Sequence, residues 1–411
     1  MPAITLCRAC GEPLTRTFVD LGVAPLSNAF VTLEKAEAPD RFYPLRAYVC
    51  DTCFLVQLAE FERPENIFDD DYVYFSSYSE TWLAHAATYC QEMIQRFSLD
   101  TSSHVAEVAS NDGYLLQNFV RKSIKVTGIE PAGNCAAAAR EKGVHSEVGF
   151  FGAECGRRLC VERGPADMIA ANNVLAHVPD LHDFVAGFAE LLKPGGVTTF
   201  EFPHLLRLLE FNQFDTIYHE HFSYLSLGPL RRVFARHGLR MFDVEELATH
   251  GGSLRLFVCH SDADHLESPN VSTILKREAA AGLENPATYG DFKTNVAHIA
   301  DSFSNFLVDA RRGGKMVAAY GAAAKGNTLI NYCGMGPDHI KFVVDRNPNK
   351  QGRLMPGSRI PVLDVTAVSE QRPDFLIILP WNLRNEIVGQ MTGIRNWDGK
   401  FVTAVPSLEI F

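Results

Sequence analysis

The chain has 411 residues, a net charge of −11, and 46% hydrophobic and 21% charged residues. This length predicts two or three domains, because a single hydrophobic core rarely serves more than about 250–300 residues. The negative charge argues against bulk nucleic-acid binding, which depends on neutralising phosphates. No apolar run is long enough to predict a membrane span. The N-terminus lacks the features of a signal peptide, so a cytoplasmic location is expected.

A first module, predicted over residues 1–65, contains two pairs of closely spaced cysteines. Cys7 and Cys10 form one CxxC motif, and Cys50 and Cys53 form the other. Two such turns can place four thiolates around one zinc ion, which would stabilise a module too small to bury much core. Four protein ligands leave no open position, so the expected zinc is structural. Two unrelated cysteine pairs are the alternative.

An aromatic, hydroxyl-rich segment follows at residues 69–82, ahead of a predicted helix at 80–97. It has two interpretations. It is either a flap packed on the core or an active-site lid, which would exclude water from a transfer reaction. In the second case its side chains reach the substrates, and the candidates are Tyr72, Tyr74, Ser77 and Tyr78.

The central domain, predicted over residues 66–262, alternates strands and helices. Predicted strands at 104–109, 125–130, 166–171 and 197–202 are separated by helical segments. A glycine-bearing loop at 110–114 follows the first strand, and the first helix is predicted at 115–122. This order is typical of a doubly wound α/β fold. Glu130 ends the second strand, where a carboxylate suits two ribose hydroxyls.

Residues 214–224 contain an unusual density of proton-transferring side chains. Tyr218, His219, Glu220, His221 and Tyr224 lie within seven residues. Histidine titrates near the working pH, which suits a general base. If the segment is extended, the two imidazoles share one face. A metal site at the two histidines and a purely structural histidine pair are the alternatives.

The last part, predicted over residues 263–411, is a helical linker followed by a second α/β domain. In the second linker helix, predicted at 289–312, three- and four-residue spacing predicts one apolar face, formed by Phe292, Val296, Ile299, Phe303 and Phe306. Strands are predicted at 316–320, 341–345 and 374–379, with a tight turn at 321–327. The small residues of this turn and Lys325 can present N–H groups and an ammonium to phosphate. A local excess of basic residues supports this interpretation, and a solvated basic surface is the alternative; these residues are Lys325, Arg346, Lys350, Arg353 and Arg359.

The central domain resembles class I S-adenosylmethionine-dependent methyltransferases. The resemblance rests on an acidic first motif, the acid at position 130, an Asn-Asn pair and a Lys-Pro-Gly-Gly turn at 193–196. It departs from the family in one respect, because Ala109 and Ser110 replace the earlier glycines of the loop. A generic NAD-binding domain would prefer the full GxGxxG motif, which is absent. The implied cofactor-binding residues are Glu107, Ala109, Ser110, Asn111, Asp112, Gly113, Glu130, Pro131, Asn172 and Asn173.

The whole chain resembles the sugar C-methyltransferases that act on nucleotide-linked 4-keto-6-deoxy sugars in deoxysugar biosynthesis. The four cysteines, residues 110–114, 218–221 and 320–327 carry this resemblance. It implies a Rossmann-like second domain that binds the nucleotide-sugar, and methyl transfer to C-3 through an enolate. It also implies that His221 is the base, assisted by Tyr218, Glu220 and His219. The expected substrate contacts are Tyr72, Tyr74, Ser77, Tyr78, Tyr224, Tyr320, Gly321, Lys325, Asn327 and Trp381.

Several alternatives stay open at this point. O- or N-methylation on the same scaffold needs no carbon base, and an NAD-dependent zinc oxidoreductase or a non-catalytic regulator would also combine zinc with a nucleotide site. A dTDP-linked sugar is favoured over GDP- and CDP-linked ones. No obvious dimer seam is visible, so a monomer without nucleic-acid or membrane partners is expected.

Overall fold

The computed structural model describes residues 5–62 and 75–411. Tyr72 and Tyr74 therefore lie outside the described residues. Contacts divide the chain into two compact units. The first unit contains the described parts of Met1–Thr15, Val49–Leu205 and Phe222–Glu284, and the second contains Arg16–Tyr48, Leu206–His221 and Asn285–Phe411. The predicted domain boundaries at residues 65 and 262 stay a prediction.

The elements are numbered in chain order. The strands are β1 (Arg16–Ala24), β2 (Val31–Thr32), β3 (Tyr43–Val49), β4 (Val56–Leu58), β5 (His104–Val108), β6 (Lys125–Glu130), β7 (Ser146–Val148), β8 (Ala166–Asn172), β9 (Leu192–Pro203), β10 (Ser223–Tyr224), β11 (Leu239–Leu247), β12 (Ser253–His260), β13 (Val317–Tyr320), β14 (Val343–Val344), β15 (Arg353–Leu354), β16 (Val362–Leu363), β17 (Phe375–Ile378), β18 (Lys400–Thr403) and β19 (Glu409–Ile410). The helices are α1 (Glu80–Arg96), α2 (Gln117–Val120), α3 (Gly133–Glu141), α4 (Ala153–Arg163), α5 (Leu181–Leu191), α6 (Leu205–Glu210), α7 (Leu227–Arg236), α8 (Pro269–Ala280), α9 (Phe292–Arg312), α10 (Ala324–Tyr332), α11 (Ala367–Gln371) and α12 (Arg384–Gln390).

A seven-stranded sheet in the order β11-β12-β9-β8-β5-β6-β7 forms the centre of the first unit. The five strands from β9 to β7 pair in parallel, whereas β12 pairs antiparallel with both β9 and β11. Every residue of β5 is buried, as expected for a parallel strand covered on both faces. The predicted doubly wound α/β class is confirmed. Ligands of such sheets bind beyond the carboxyl ends of the strands, where β5, β6 and β8 end side by side.

Two predicted boundaries in this unit are wrong. The helix expected at 115–122 is only the short α2. The turn expected at 193–196 belongs to β9, which begins at Leu192 opposite Ala166. A register shift between Ala166 and Met168 absorbs these residues as an irregularity within the strand pair. The strand β9 therefore continues through a segment whose Pro and Gly residues predict a break, and it pairs with β8 on either side of that segment.

The second unit contains a six-stranded sheet in the order β16-β14-β13-β17-β18-β19. The strands from β16 to β18 pair in parallel and β19 is antiparallel. The turn expected at 321–327 is shorter, because α10 already begins at Ala324. Gly321 makes the turn at a φ of 88°, and the N–H of Ala322 donates to Asp345 Oδ2 at 2.8 Å. Asp345, which directly follows β14, thus anchors Ala322, and the helix begins two residues later at Ala324.

The predicted apolar face of α9 is observed. Phe292, Val296, Ile299 and Phe303 are buried, and the ring of Phe306 packs edge-on against another phenylalanine of the same unit. Elsewhere in this unit, β2 pairs antiparallel with β15. None of the helices in the described ranges combines the length and apolar character needed to span a membrane.

Glycines at 156 and 187 allow α4 and α5 to pack closely. A Cβ atom on Gly156 would lie 2.3 Å from the carbonyl oxygen of Gly187, whereas one on Gly195 would meet nothing within 4 Å. We expect Gly156→Ala to destabilise the protein by about 1–3 kcal/mol, because backbone atoms cannot yield as a side chain can. Chemical denaturation measures this, with Gly195→Ala as the matched control. Equal unfolding free energies for the two variants would contradict the packing argument.

Candidate functional site

The four predicted metal ligands come together in the first unit. The sulfur atoms of Cys7, Cys10, Cys50 and Cys53 all lie within 4.8 Å of one another, with 3.5 Å between Cys7 and Cys53 and between Cys10 and Cys50. The side-chain amide of Gln57 donates to the sulfur of Cys7 at 3.1 Å. Contact with Cys53 lowers the pKa of Cys7 to about 4, which favours a thiolate. Four close sulfurs fit a tetrahedral structural zinc ion.

The loop after β5 has an unusual backbone. Ala109, Asn111 and Gly113 have positive φ angles of 57°, 48° and 77°. Alanine therefore occupies a left-handed conformation that costs a non-glycine residue about 1–2 kcal/mol. A Cβ atom on Gly113 would lie 3.1 Å from Ala139, so this position has little room for a larger residue. The loop keeps the path of a glycine-rich loop with a single glycine.

Five predicted cofactor-binding side chains present buried polar atoms at the ends of β5 and β8. Within the described residues these atoms have no hydrogen-bond partner; they are Glu107 Oε2, Ser110 Oγ, Asp112 Oδ1, Asn172 Oδ1 and Asn173 Nδ2. A buried polar atom without a partner costs about 1–3 kcal/mol, so such a group of atoms indicates a ligand site. Carboxylate, hydroxyl and amide groups fit the ribose, amino and carboxylate groups of S-adenosylmethionine.

Glu130 organises this loop from the end of β6. Its carboxylate accepts from the N–H of Asn111 at 2.8 Å and from the N–H of Ala132 at 2.9 Å. Pro131, which stands between Glu130 and Ala132 in the chain, is half-buried. Burial raises the pKa of Glu130 to about 7. Burial, followed by the charges of Glu130 and Asp112, also raises the pKa of Glu107. Crowded carboxyl groups favour a ligand with positive charge, because it offsets their mutual repulsion.

The beginning of the aromatic segment contacts the same loop. The N–H of Ser76 donates to Asn111 Oδ1 at 2.9 Å. Lys142 donates to Ser77 Oγ at 2.8 Å and to Asp112 Oδ2 at 3.0 Å. Tyr78 is exposed. The structure thus connects Ser77 to the candidate cofactor loop through Lys142, a residue that the sequence analysis did not single out.

Residues 218–221 of the second unit form a turn, so the condition of an extended segment is not met. The N–H of His221 donates to the carbonyl of Tyr218 at 2.9 Å, which closes the turn. As a result the two histidines do not share a face through strand alternation. Instead, the rings of Tyr218 and His221 lie 4.0 Å apart between centroids, and the Tyr218 hydroxyl is 2.8 Å from His221 Nε2.

The carbonyl of Thr216 determines which nitrogen of His221 carries the proton. It lies 2.9 Å from His221 Nδ1, and because a carbonyl only accepts, Nδ1 is the donor. In the neutral ring, Nε2 then has the free electron pair and accepts from the Tyr218 hydroxyl. This order, carbonyl to imidazole to hydroxyl, is the arrangement of an oriented general base.

His219 is in a different situation. Its Nε2 donates to the carbonyl of Pro44 at 3.2 Å, and its Nδ1 is buried without a partner among the described residues. Burial lowers the pKa of His219. It therefore lacks the exposed electron pair that a base needs. The described part of the chain also offers no group of three or more metal-binding side chains other than the four cysteines, so the alternative metal site at His219 and His221 has no support.

Glu220 is held by a residue from another part of the second unit. Both of its oxygens accept from Asn28 Nδ2, at 3.0 and 2.8 Å. Burial raises its pKa to about 7, opposed by Asn28 and the charge of Lys350. Asn28 comes from a part of the chain far from position 220, so no local sequence signal could have identified it.

The predicted substrate residues of the second unit gather at the carboxyl ends of β13 and β17. The Tyr320 hydroxyl donates to Gln390 at 2.8 Å, and Asn327 Oδ1 accepts from Asn331 at 3.1 Å. Gly321 is required at its position, because a Cβ atom there would lie 2.6 Å from Pro380. Tyr224 instead belongs to β10 of the first unit, opposite Val56 of β4.

Lys325 and Trp381, both half-buried, form a group with the buried Asp215. Lys325 Nζ donates to Asn382 Oδ1 at 2.9 Å and lies 4.4 Å from the centre of the Trp381 ring. The indole N–H of Trp381 donates to Asp215 Oδ2 at 2.7 Å. Burial lowers the pKa of Lys325 to about 8 and raises that of Asp215 to about 6. The sequence analysis missed Asp215, although it stands three residues before Tyr218.

The zinc assignment leads to a direct test. We expect Cys10→Ser to reduce bound zinc well below one ion per chain and to lower the melting temperature by about 5 °C or more, since the metal replaces part of a core. Elemental analysis and calorimetry measure the two effects. Cys160→Ser is the control, because Cys160 lies on α4 outside the cluster. Full zinc content in Cys10→Ser would contradict the assignment.

Known protein families match three successive parts of the chain. Family models match in three parts: a putative zinc binding domain at residues 7–68, a methyltransferase domain at 82–244 and a C-methyltransferase C-terminal domain at 248–406. The magnesium protoporphyrin IX methyltransferase ChlM from Synechocystis PCC 6803, a solved structure, has a TM-score of 0.35 at 13% identity and covers 44% of this chain and 83% of its own.

Two curated relatives differ in how much they match. A ubiquinone biosynthesis O-methyltransferase of Bradyrhizobium sp. (strain ORS 278) is 30% identical over 94 residues, 22% of this chain and 36% of that protein. The C-methyltransferase NovU of Streptomyces niveus is 34% identical over 400 residues, 97% of this chain and 95% of NovU. The chain therefore belongs to the family of S-adenosylmethionine-dependent C-methyltransferases that includes NovU, with zinc bound in its N-terminal part.

Proposed function

We propose that the protein transfers a methyl group from S-adenosylmethionine to C-3 of a nucleotide-linked 4-keto-6-deoxy sugar, in deoxysugar biosynthesis. The observation that carries this proposal is the series of contacts from the Thr216 carbonyl through His221 to the Tyr218 hydroxyl. Methylation at carbon needs a base that removes a C–H proton, whereas methylation at oxygen or nitrogen does not. An imidazole oriented through Nδ1, with its electron pair on Nε2, is such a base.

The chemistry of the substrate fits this base. A ketone at C-4 acidifies the hydrogen at C-3, so His221 Nε2 can take that proton and leave an enolate. The proton stays on the imidazole, whose Nδ1–H remains bonded to the Thr216 carbonyl. The Tyr218 hydroxyl, freed from Nε2, can donate to the enolate oxygen, where a hydrogen bond stabilises the charge that develops in the transition state.

S-adenosylmethionine supplies a methyl group on a sulfonium, which is electrophilic enough for a carbon nucleophile. We assign its binding to the loop after β5 and to the ends of β6 and β8. Asp112, Asn172 and Asn173 offer unpartnered buried atoms, and the carboxyl group of Glu107 adds one more unpartnered buried oxygen. Glu130 accepts the N–H of Asn111 in this loop and the N–H of Ala132 after β6. It would therefore hold the loop and also face the ribose.

The nucleotide part is assigned to the second unit. The N-terminus of α10 can offer N–H groups to a diphosphate, because the first N–H groups of a helix have no partner within it. The N–H of Gly321 already donates to the carbonyl of Val344 at 2.7 Å, so Gly321 would shape the turn beside the ligand. Lys325 is held by Asn382, so it would approach a phosphate only by leaving that contact. A dTDP-linked sugar is the favoured substrate, with Tyr320, Asn327, Trp381, Tyr224, Ser77, Tyr78, Tyr72 and Tyr74 as its other predicted contacts.

The base assignment is tested by His221→Asn. We expect C-methylation to fall by about 10²- to 10⁴-fold, the usual contribution of a general base. Mass spectrometry of the product measures it. Deuterium uptake at C-3 from D₂O, with S-adenosylhomocysteine present, measures proton removal alone and should fall equally.

Two other histidines complete this experiment. His298→Asn is the matched control, because His298 is exposed on α9. His219→Asn tests the other imidazole, and we expect less than a tenfold loss because its free nitrogen is buried. Turnover of His221→Asn near the wild-type rate would rule out this base. A larger loss in His219→Asn would move the role to that residue.

The cofactor site is tested by Asp112→Asn. We expect the affinity for S-adenosylhomocysteine to fall by about 10-fold or more, since a hydrogen bond to a charged group contributes about 1.5–3 kcal/mol. Lys142→Met should have a smaller effect of the same sign, because it frees Asp112 to rotate. Calorimetric titration measures both, with the exposed Asp262→Asn as control. An unchanged affinity in Asp112→Asn would contradict this assignment.

A further inference from the structure

The turn that carries the Thr216 carbonyl is short and needs external support. Residues Phe214–Thr216 form a single 3-10 turn, closed by the N–H of Ile217 on the carbonyl of Phe214 at 2.9 Å. One turn of this kind is weakly stable by itself. The carbonyl must nevertheless point at His221 Nδ1 to keep the proton on that nitrogen. The position of this turn thus decides whether Nε2 has the free electron pair.

A first support comes from the loop after β17. The indole N–H of Trp381 donates to Asp215 Oδ2 at 2.7 Å. Asp215 is 1% exposed, so its carboxyl group depends on protein donors for solvation. The ammonium of Lys325, which lies over the Trp381 ring, attracts the Asp215 carboxylate electrostatically. These contacts hold the residue that directly precedes Thr216.

A second support comes from α10. The hydroxyl of Thr328 donates to the carbonyl of Ile217 at 3.1 Å, and the ring of Tyr332 packs edge-on against Phe214 with 5.6 Å between centroids. Thr328 is 3% exposed. The first contact holds Ile217, which directly follows Thr216, and the second holds Phe214, where the turn begins. Thr216 is therefore supported on both sides, by the loop after β17 and by α10 after β13.

We infer that Trp381 and Thr328 are positioning residues that hold the 214–217 turn so that the Thr216 carbonyl keeps the proton on His221 Nδ1. This inference rests on the proposed function for its catalytic consequence. It gives Trp381 a role other than the substrate contact predicted from the sequence. It also makes the C-terminal α/β sheet part of the machinery that sets the state of the base, in addition to any role in binding the nucleotide.

The first experiment observes the ring itself. Full-length protein labelled with ¹⁵N-histidine shows by NMR which ring nitrogen of His221 is protonated, and His221→Asn identifies its signals. The wild type should show protonated Nδ1 and unprotonated Nε2. Trp381→Phe removes the indole donor and keeps an aromatic ring, and Thr328→Val removes the hydroxyl donor at almost constant shape. We expect both to give a mixture of the two neutral forms, whereas Thr328→Ser, which keeps the hydroxyl, should resemble the wild type.

The second experiment measures the reaction. Both variants should slow deuterium uptake at C-3 and reduce kcat by about 10- to 100-fold, the effect expected when a catalytic group is misplaced by about 1 Å. The affinity for S-adenosylhomocysteine should stay within twofold of the wild type. Trp397→Phe is the matched control, because its indole N–H donates to the carbonyl of Pro373 at 2.9 Å in the same unit without touching the turn.

The outcomes separate this inference from the proposed function. If His221→Asn is inactive but Trp381→Phe and Thr328→Val keep the wild-type NMR signals and rates, the positioning role is wrong and the base assignment stands. If Trp397→Phe loses as much activity as Trp381→Phe, the effect is general destabilisation and the inference is also wrong. If His221→Asn stays active while the ring form still changes in both variants, positioning is supported and the proposed base is not.

Discussion

The hydrogen bond from His221 Nδ1 to the Thr216 carbonyl is the contact on which the proposed chemistry depends. A neutral imidazole has one donor and one acceptor nitrogen, and only a fixed acceptor determines which is which. This backbone carbonyl is such an acceptor. It lies on one turn whose neighbours are bonded to Trp381 and Thr328. The ends of β13 and β17, two adjacent parallel strands, carry these supports, so the sheet indirectly determines the state of the ring.

The cofactor loop differs from this turn, because several of its buried side-chain atoms have no hydrogen-bond partner within the described residues. Glu107, Ser110 and Asp112 each keep a buried atom unbonded within the described residues, and Ala109 adopts a left-handed backbone. Both features cost stability in the free protein. Such costs persist where the surrounding structure enforces them, and here Glu130 and Lys142 bind the loop from two sides. The loop is therefore already shaped for a ligand that satisfies its free atoms.

Local sequence patterns predicted much of the fold correctly. The buried strands β5 and β6 were recognisable from short segments with valine, alanine or isoleucine, and the apolar face of α9 from its three- and four-residue spacing. The errors occurred where pairing or a distant anchor overrode composition. Residues 193–196 continue β9 because β8 pairs with Leu192 before them and with Val197 after them, and α10 begins early because Asp345 holds Ala322. At 218–221 a turn hydrogen bond closes the segment, so the shared face that an extended segment would give is absent.

The sequence by itself determined the fold class, the four cysteines, the family and the proposed set of proton-transferring residues, because each depends on residue type and spacing along the chain. The family resemblance favoured His221 over His219, but only the tertiary structure gives the physical difference between them. The two residues are neighbours of the same type, but one bonds the carbonyl of Thr216 and a phenol, and the other bonds the carbonyl of Pro44 with its second nitrogen buried. The same holds for Asp215, Asn28 and Thr328, whose partners are more than a hundred positions away. Protonation and orientation are properties of contacts between distant segments, so no local pattern contains them.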